Sequence, residues 1–420
     1  MKLLNFVVCG TGYRGRAVAK EVICGLENVR IVGVSDPYID KAEFLADALE
    51  KKTGFRPEVY TDSTVMIEAL KPDVAYVATS WEAHTEVAIM AMEHGVAVAM
   101  EVGGAHSEEE CRSLIEAWER TRVPFMFMEN CCFNRDELFA LSLARNGVFG
   151  NVVYCHGAYG HDLRKEVSYG DINRHYRLKH YSTRNCENYP THELGPICRI
   201  LNITRGNRMV SLVSRSSKAL GLHEYVQDKP ELEYLHNREF AQGDIVETLI
   251  TCENGELISL RLDTTLPRTY SRELTVAGTK GRYVQDTNSV FRDGCKETFD
   301  IIAGTNMYLN NATELYDPYL PEFWRTITEE QKKVGHGGMD YFEFLAFVNH
   351  LRNGEPMPID VYEAATWMSI TYLSEKSLTM GGAVVEIPDF TNGAYKTRVP
   401  FDVVELPRIS NAIEESSSQE

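Results

Sequence analysis

In the first third of the chain, short apolar runs alternate with longer segments in which apolar residues recur every three or four positions. The short runs are typical of buried strands, and the longer segments are typical of helices. The predicted strands are LLNFVVC (3–9), RIVGVSD (30–36), DVAYVATS (73–80), VAVAME (96–101) and PFMFME (124–129). The predicted helices are RAVAKEVICGL (16–26), KAEFLADALEKK (41–52), HTEVAIMAMEHG (84–95) and SEEECRSLIEAWER (107–120). This alternation predicts an α/β domain with a doubly wound parallel sheet.

After LARNGVFG (143–150) the pattern changes to longer strands with alternating apolar and polar residues. The predicted strands are 151–160, 208–216, 245–252, 256–265, 271–277 and 281–286, and helical periodicity returns at 192–203, 338–352 and 360–377. These elements predict an α+β domain with an open, mostly antiparallel sheet and helices on one face. We predict a long loop over 287–335, which is rich in Asn, Gly, Pro and Tyr. The predicted domains are 1–148 and 149–405, followed by a tail at 406–420 without fixed structure.

Composition narrows the class of partner. The chain has 420 residues, of which 44% are hydrophobic and 25% charged, with a formal net charge of −18. This length and apolar content suffice for two domains with large cores. The negative charge argues against nucleic acid, which binds clustered positive charge, and against anionic membrane surfaces. We expect a small-molecule partner, and association of identical copies through the open sheet face stays an open alternative.

The cysteines give no sign of a structural metal or a disulfide framework. There are ten cysteines, with no CxxC pair, and Cys131 and Cys132 are adjacent. We therefore predict reduced thiols, no metal site and a cytoplasmic protein. The amino-terminal segment MKLLNFVVCGTG lacks the pattern of an export signal, and no segment has the length of a membrane span.

The segment CGTGYRG (9–15) predicts a dinucleotide site. Gly10, Gly12 and Gly15 lie between the first predicted strand and the first predicted helix, where a pyrophosphate can approach the backbone. Asp36 ends the second strand, where a carboxylate binds a ribose diol and repels a 2′-phosphate. The predicted cofactor is therefore NAD, with Arg14 facing its pyrophosphate or adenine. The alternative is that the glycines serve only a tight turn.

Further polar and aromatic residues follow the other strands. Because ligands of such sheets bind beyond the carboxyl ends of the strands, we expect these residues on one rim. They are Ser80, Trp81, His84, Glu101, Val102, Glu129 and Asn130. Core packing is the alternative for Trp81, and a helix-capping role is the alternative for His84.

The segment NCENYPTHELGP (185–196) predicts the start of a helix with exposed polar side chains. Pro190 fixes its own φ and favours an extended or turn conformation for Tyr189, so the helix follows it. Thr191 and His192 then lie in its first turn.

Taken together, these residues resemble the glucose-fructose oxidoreductase and inositol dehydrogenase family, Gfo/Idh/MocA. The resemblance extends to YFEFLAFVNHLRNGEPMPIDVYEAATW (341–367) near the end of the chain. Dehydrogenases of that family have Glu-Lys-Pro where this chain has Glu101, Val102 and Gly103. Valine can neither donate nor accept the hydroxyl proton that the lysine handles.

Four segments are similar to one branch of that family, the NAD-dependent glycosidases of glycoside hydrolase family 109. They are Glu101–Val102, MENCCF (128–133), NYPTHELGP (188–196) and GHGGMDY (335–341). Glu193 stands where the branch usually has glycine. The resemblance implies substrate contacts at Tyr159, Arg177, Tyr189, Pro190, Thr191, His192 and Tyr270. It implies cofactor contacts at Tyr13, Arg14, Asp36, Trp81, His84, Glu101, Val102 and Asn130.

Each implied substrate residue also has an ordinary structural interpretation. His192 could be a buried histidine with satisfied hydrogen bonds, and Tyr159 and Tyr270 could be packing residues of strands. Arg177, within the charged segment NRHYRLKH (173–180), could be solvated. Their joint presence with an intact dinucleotide motif favours the functional interpretation.

The implied chemistry is glycoside hydrolysis by transient oxidation, on an N-acetylgalactosaminide or a related hexoside. Oxidation at C3 acidifies the C2 hydrogen, and its loss allows elimination at C1, addition of water and return of the hydride. We assign the hydroxyl proton to His192 and the C2 and leaving-group protons to Tyr159 and Tyr270. Glu129 would hold Asn130 or another contacting group. The alternatives are an NAD-dependent sugar or cyclitol dehydrogenase and a sensor that binds without catalysis.

Overall fold

In the computed structural model of the protein, the structure describes residues 2–294 and 301–409. The strands are β1 (Leu4–Cys9), β2 (Val29–Ser35), β3 (Glu58–Tyr60), β4 (Val74–Val77), β5 (Ala97–Glu101), β6 (Phe125–Met128), β7 (Val152–Gly160), β8 (Met209–Ser216), β9 (Ile245–Cys252), β10 (Leu257–Asp263), β11 (Thr275–Gly278), β12 (Gly281–Val284), β13 (Ser289–Arg292) and β14 (Val385–Glu386).

The α-helices are α1 (Tyr13–Glu21), α2 (Ile39–Thr53), α3 (Ser63–Leu70), α4 (Trp81–Glu93), α5 (Glu108–Thr121), α6 (Arg135–Arg145), α7 (Arg164–Ser168), α8 (Gly170–Asn173), α9 (Arg177–Thr183), α10 (Thr191–Ile200), α11 (Gly221–Val226), α12 (Ile301–Tyr308), α13 (Tyr316–Tyr319), α14 (Glu322–Thr326), α15 (Met339–Asn353) and α16 (Val361–Thr379). None of these described helices combines the length and apolar character that crossing a bilayer requires. The cytoplasmic location stays a prediction.

The chain forms two compact units, and each takes several segments of the sequence. The first comprises Met1–Phe133, Arg174–Tyr176 and Thr328–Tyr372. The second comprises Asn134–Asn173, Arg177–Ile327 and the residues from Leu373 onward. The predicted boundary at 148/149 lies near the first crossing between the units, but the later return at Thr328 has no counterpart in the predicted domains. Of the predicted unstructured tail at 406–420, residues 410–420 lie outside the described residues.

The first unit contains a six-stranded, entirely parallel sheet in the order β3-β2-β1-β4-β5-β6. This confirms the predicted doubly wound fold, because every predicted strand and helix of this region forms within a few residues of its expected bounds. The sequence prediction omitted β3 and α3. β3 has three residues, which is too short to show a period. For α3 a signal was present, since Asp62 caps the helix by accepting hydrogen bonds from the N–H groups of Thr64 and Val65.

Helix α15 packs into the first unit although it lies more than 200 residues after the sheet. Phe344 meets the Tyr76 ring edge-on at 5.4 Å between ring centroids, and Phe347 meets Phe6 at 6.4 Å. These aromatic contacts are with β1 and β4 at the centre of the sheet. The carboxyl-terminal part of the chain therefore completes the core of the amino-terminal unit.

The second unit contains an eight-stranded sheet in the order β13-β12-β11-β7-β10-β9-β8-β14. Its pairs are antiparallel except for β7 with β10, so the mostly antiparallel prediction is confirmed. Helix α10 lies close on β7: a Cβ added at Gly157 would lie 2.7 Å from the Glu193 Cβ. That close approach fixes the start of α10 relative to the end of β7.

The predicted long loop over 287–335 is wrong for its described residues. They form β13 and the short helices α12, α13 and α14. The side chain of Asn311 accepts a hydrogen bond from the Val290 N–H and donates one to the Val290 carbonyl, which holds the segment to β13. Helices of four to eight residues span too few turns to give a readable apolar period.

Candidate functional site

The turn between β1 and α1 in the first unit has the shape of a dinucleotide-binding turn. Gly10 has a φ of +92°, and a Cβ there would lie 2.4 Å from the Ala78 carbonyl oxygen. A Cβ at Gly15 would lie 2.1 Å from the Gly10 oxygen. Gly12 differs, since it precedes α1 without a side-chain cap and no atom lies within 4 Å of its hypothetical Cβ. The uncapped amides and open space at Gly12 fit a pyrophosphate.

Asp36 is held at the end of β2 by this same turn. Its carboxylate accepts hydrogen bonds from the Thr11 N–H at 2.9 Å, the Thr11 hydroxyl at 3.1 Å and the Tyr38 N–H at 3.0 Å. The negative charge therefore stands beside the glycine turn, where a ribose diol binds and a 2′-phosphate is repelled. The residues present fit NAD.

Arg14 forms ion pairs within the first unit that were not predicted. While the neighbouring Tyr13 is 78% exposed, the Arg14 guanidinium donates to Glu101 from Nε at 2.8 Å and to Asp340 from Nη1 at 2.6 Å. Burial alone would lower the pKa of Arg14, but these two carboxylates raise it well above its usual value. Arg14 thus neutralises two buried acids of its own unit, and its contact with the pyrophosphate or adenine stays a prediction.

Asp340 is the centre of this charged network and was not predicted. It is buried and accepts further hydrogen bonds from Asn130 Nδ2 at 2.6 Å and from His336 Nδ1 at 2.8 Å. Burial opposes its charge, but Arg14 and His336 hold its pKa well below the usual range. The sequence signal was present, because both Asp340 and His336 belong to GHGGMDY, for which no role was assigned.

The remaining carboxylates of the rim are buried as well. Glu101 accepts a second hydrogen bond from the Tyr76 hydroxyl at 2.8 Å. Glu129 is fully buried and accepts from the Cys131 N–H at 3.1 Å, so it shapes the turn after β6. We expected Glu129 to hold the side chain of Asn130. The Asn130 amide donates to Asp340 instead.

His84 and Trp81 have clear structural roles at the start of α4. Burial lowers the pKa of His84 to about 4, so the ring is neutral, and its Nδ1 lies 2.8 Å from the Ser80 carbonyl oxygen. This contact fixes the ring at the start of α4, but it is not a helix cap, because a cap accepts from a free N–H group of the first turn. Trp81 is buried, and a Cβ at Gly103 would lie 2.7 Å from its ring. Val102 is 4% exposed, which leaves little room for a longer side chain.

In the second unit, Tyr159, His161, Tyr189, His192 and Tyr270 form what we call the aromatic cluster. The Tyr159 ring centroid lies 4.6 Å from Tyr189, 5.5 Å from His192 and 6.4 Å from Tyr270. The cluster combines flat apolar faces with hydroxyl and imidazole groups, which suits a sugar ring and its proton transfers.

The predicted helix start at Pro190 is confirmed. Pro190 has a φ of −72° and immediately precedes α10, and the Tyr189 and His192 rings meet edge-on at 4.9 Å. His192 is half-buried, whereas Thr191 is fully buried and faces the interior. Of this segment, Tyr189 and His192 therefore belong to the aromatic cluster.

Arg177 is buried, so the solvated alternative is wrong. Only 8% of it is exposed, its Nε lies 3.3 Å from Glu166 Oε1, and its guanidinium lies 5.2 Å from the centre of the Tyr189 ring. It also forms a hydrogen bond with the Tyr159 side chain. Burial raises the pKa of Tyr159 above its usual range, and Arg177 opposes that shift.

Two residues at the cluster were missed by sequence reasoning. His161 Nδ1 lies 3.1 Å from the Tyr159 hydroxyl, and Arg272 donates from Nη1 to the Tyr270 hydroxyl at 3.0 Å. Arg272 is also paired with the buried Glu137. Both follow a site tyrosine by two positions, the spacing at which extended residues share a side. That spacing was the available signal.

Two family models match the chain. The carboxyl-terminal domain of glycosyl hydrolase 109 matches residues 133–397. The NAD-binding Rossmann fold of the Gfo/Idh/MocA oxidoreductase family matches residues 4–128.

Curated relatives match over nearly the whole chain. An α-N-acetylgalactosaminidase of Tannerella forsythia is 35% identical over 423 residues, covering 95% of this chain and 88% of that protein. An α-N-acetylgalactosaminidase of Bacteroides fragilis is 35% identical over 415 residues, covering 94% of each chain.

Solved structures share the fold at low identity. A myo-inositol 2-dehydrogenase of Lactobacillus plantarum matches with a TM-score of 0.65 and 16% identity, covering 92% of this chain and 100% of that one. The myo-inositol dehydrogenase of Lactobacillus casei in complex with NAD(H) and myo-inositol matches with a TM-score of 0.61 and 15% identity, covering 92% and 99%. These similarities show the fold alone.

Proposed function

Since the chain belongs to the glycosyl hydrolase 109 family and is an NAD-dependent glycosidase, we propose that its substrate is an α-linked N-acetylgalactosaminide. Two relatives that carry this activity in their names align with 94–95% of the chain. The observation that carries the proposal is the aromatic cluster, which gathers Tyr159, Tyr189, His192 and Tyr270 beside the buried Arg177.

The residues that would hold NAD are the glycine turn of the first unit and Asp36. When bound, NAD supplies a transient oxidation of the sugar's C3 hydroxyl, with the hydride returned at the end. The ketone acidifies the C2 hydrogen, so that loss of this proton allows elimination of the C1 leaving group and then addition of water. The protein must therefore move protons at three places: the C3 hydroxyl, C2 and the leaving group.

The cluster offers a group for each proton. His192 is our proposed acceptor of the hydroxyl proton, because imidazole exchanges protons near neutral pH. Tyr159 and Tyr270 are proposed for the C2 and leaving-group protons. A phenolate needs a nearby positive charge, and each tyrosine has one: Arg177 for Tyr159 and Arg272 for Tyr270. The remaining contacts proposed for the sugar are Pro190 and Thr191, although Thr191 is buried.

Glu193 stands where the family usually has glycine. It is buried within α10, and its Cβ faces Gly157 of β7.

The alternative is an NAD-dependent sugar or cyclitol dehydrogenase. The neighbouring inositol dehydrogenase structures share the fold, and such an enzyme would use His192 with Tyr159 or Tyr270, because Val102 is apolar and buried. It would also release reduced cofactor in proportion to product. Glycosidic cleavage without net reduced cofactor separates the two.

The test uses a chromogenic α-N-acetylgalactosaminide in D₂O, with the absorbance of reduced nicotinamide followed in parallel. We expect hydrolysis without net reduced cofactor, and a product that carries deuterium at C2 and not at C3. The C2 proton exchanges with solvent, whereas the hydride returns to the carbon that it left. The matched β-anomer and the corresponding galactoside serve as controls.

His192→Ala is expected to slow hydrolysis and C2 exchange together, because it blocks the first oxidation. Cleavage of the α-linked substrate with no deuterium at C2 contradicts the elimination pathway. Absence of cleavage together with stoichiometric reduced NAD favours the dehydrogenase.

A further inference from the structure

His161, to which neither the family resemblance nor the sequence patterns gave a role, lies within the aromatic cluster. It follows β7 directly, and its backbone N–H donates to the Asp263 carbonyl at 2.9 Å, which fixes the position of the residue. Its ring meets Tyr270 edge-on at 5.1 Å, and its Nδ1 lies 3.1 Å from the Tyr159 hydroxyl. The imidazole therefore lies between the two tyrosines proposed for proton transfer.

The direction of the Tyr159–His161 hydrogen bond follows from the other partner of Tyr159. Arg177 also hydrogen-bonds to Tyr159, and a guanidinium can only donate. The phenolic oxygen accepts from Arg177, which favours the His161 tautomer in which Nδ1 accepts the single proton of the Tyr159 hydroxyl. His161 then carries its own proton on Nε2 and is neutral.

We propose that His161 is the acceptor of the phenolic proton of Tyr159 and thereby makes Tyr159 the base at C2. The proposal rests on the proposed function. His161 acts through Tyr159, so it is a positioning residue and touches no reacting atom of the sugar itself.

The proton balance closes without a further reactant. The Tyr159 O–H bond breaks and the proton forms a bond to His161 Nδ1, giving a phenolate next to an imidazolium and Arg177. The phenolate takes the C2 proton, and the electron pair of the C–H bond enters the enolate. After water has added, Tyr159 returns a proton to C2 and regains one from His161. Because His161 is half-buried, the shared proton can exchange with solvent.

The surroundings of His161 favour its neutral ring. Burial lowers its pKa below the usual value, and the nearby Arg177 and His192 lower it further. The carboxylates of Glu166 and Asp162 act in the opposite direction. The ring is consequently neutral at neutral pH, and the two acids stabilise the imidazolium when the proton arrives.

The test is the pH dependence of His161→Gln, whose amide oxygen can still accept the hydrogen bond but cannot take the proton. We expect kcat to fall about 10²-fold at pH 7, since a positioned proton acceptor contributes at least that much. In the variant the rate should rise with pH as Tyr159 itself ionises, and added imidazole should partly restore the rate of His161→Ala. His223→Gln, an exposed histidine of the same unit, is the matched control.

Two results would overturn the inference while leaving the glycosidase intact. One is a His161→Gln enzyme within about threefold of the wild type with an unchanged pH profile. The other is an equal loss at every pH without rescue by imidazole, which indicates a purely structural role. If the His161 variants do not fold, Tyr159→Phe decides: deuterium at C2 of the product at the wild-type level would contradict Tyr159 as the base that His161 serves. A wild type that hydrolyses no glycoside contradicts the proposed function instead.

Discussion

At the scale of single residues, one buried acid of the second unit is expected to make stability depend on pH. Glu187, three residues before Pro190, is fully buried in the second unit. Burial raises its pKa well above the usual value, the charge of Glu247 adds to the effect, and the Tyr189 N–H opposes it. Folding therefore favours the protonated carboxyl at a position two residues from a member of the aromatic cluster.

We predict that Glu187→Gln increases stability, and more so at high pH. The folded state retains a proton that the unfolded chain releases above about pH 4.3, so the wild type loses about 1.4 kcal/mol per pH unit between that value and the folded pKa. Glutamine has no proton to lose. Urea unfolding should show a gain at pH 8.5 that exceeds the gain at pH 5.5 by at least about 1 kcal/mol.

The control for this change is Glu233→Gln, at an exposed acid of the same unit. Its effect on the free energy of unfolding should be small and equal at both pH values. Parallel stability curves for Glu187→Gln and the wild type would show that Glu187 is ionised in the folded protein.

In the turn between β1 and α1, different glycines serve folding and cofactor binding. At Gly10 and Gly15 an added methyl group would collide with backbone oxygens, whereas at Gly12 it would meet no atom. Gly12 has a φ of −60° and a ψ of −174°, which any residue can adopt. Gly10 and Gly15 are thus required for the backbone of the turn to form. Gly12 is required to leave space in which a pyrophosphate can approach the turn.

Gly12→Ala should fold and lose NAD. We expect its unfolding free energy to lie within about 1 kcal/mol of the wild type. Its affinity for NAD should fall at least tenfold, about 1.4 kcal/mol, because the methyl group occupies the space where the pyrophosphate approaches. Isothermal titration with NAD measures this.

Gly25→Ala is the matched control, since a Cβ there also meets no atom and lies on the exposed surface. Both properties should be unchanged. Wild-type affinity in Gly12→Ala would mean that the glycine turn does not hold the pyrophosphate.

The elements of the parallel sheet, apart from β3 and α3, were predictable because the other strands are compact apolar runs that alternate with helices of at least two turns. The pairing of Arg14 with Asp340 was not, since the two residues are 326 positions apart and no periodicity relates them. His161 could have been predicted, because the alternation of β7, continued one residue beyond its end, places positions 159 and 161 on one side. The site was thus predictable where chemistry follows a local motif, and unpredictable where distant segments meet.

For the molecule as a whole, the unit that would bind the cofactor includes a segment from late in the chain, Thr328–Tyr372. Asp340 and His336 hold the side chain of Arg14, which follows Tyr13 in the first turn of α1, next to the glycine turn. Residues from both ends of the chain therefore stabilise the unit that would hold NAD. The resulting turn is a fixed structure that forms with the core of that unit, which favours long retention of the cofactor.

We therefore expect the protein to purify with NAD bound and to hydrolyse its substrate without added cofactor. A glycosidase that restores its cofactor in every cycle has no step in which NAD must leave, unlike a dehydrogenase, which must exchange it each time. Denaturing the purified protein and assaying the supernatant should recover NAD, and the moles of sugar released should far exceed the moles of NAD present. Gly12→Ala, purified in the same way, should yield little NAD and regain activity when excess NAD is supplied. Protein that purifies without NAD and turns over only in proportion to added NAD contradicts both the retention and the proposed reaction.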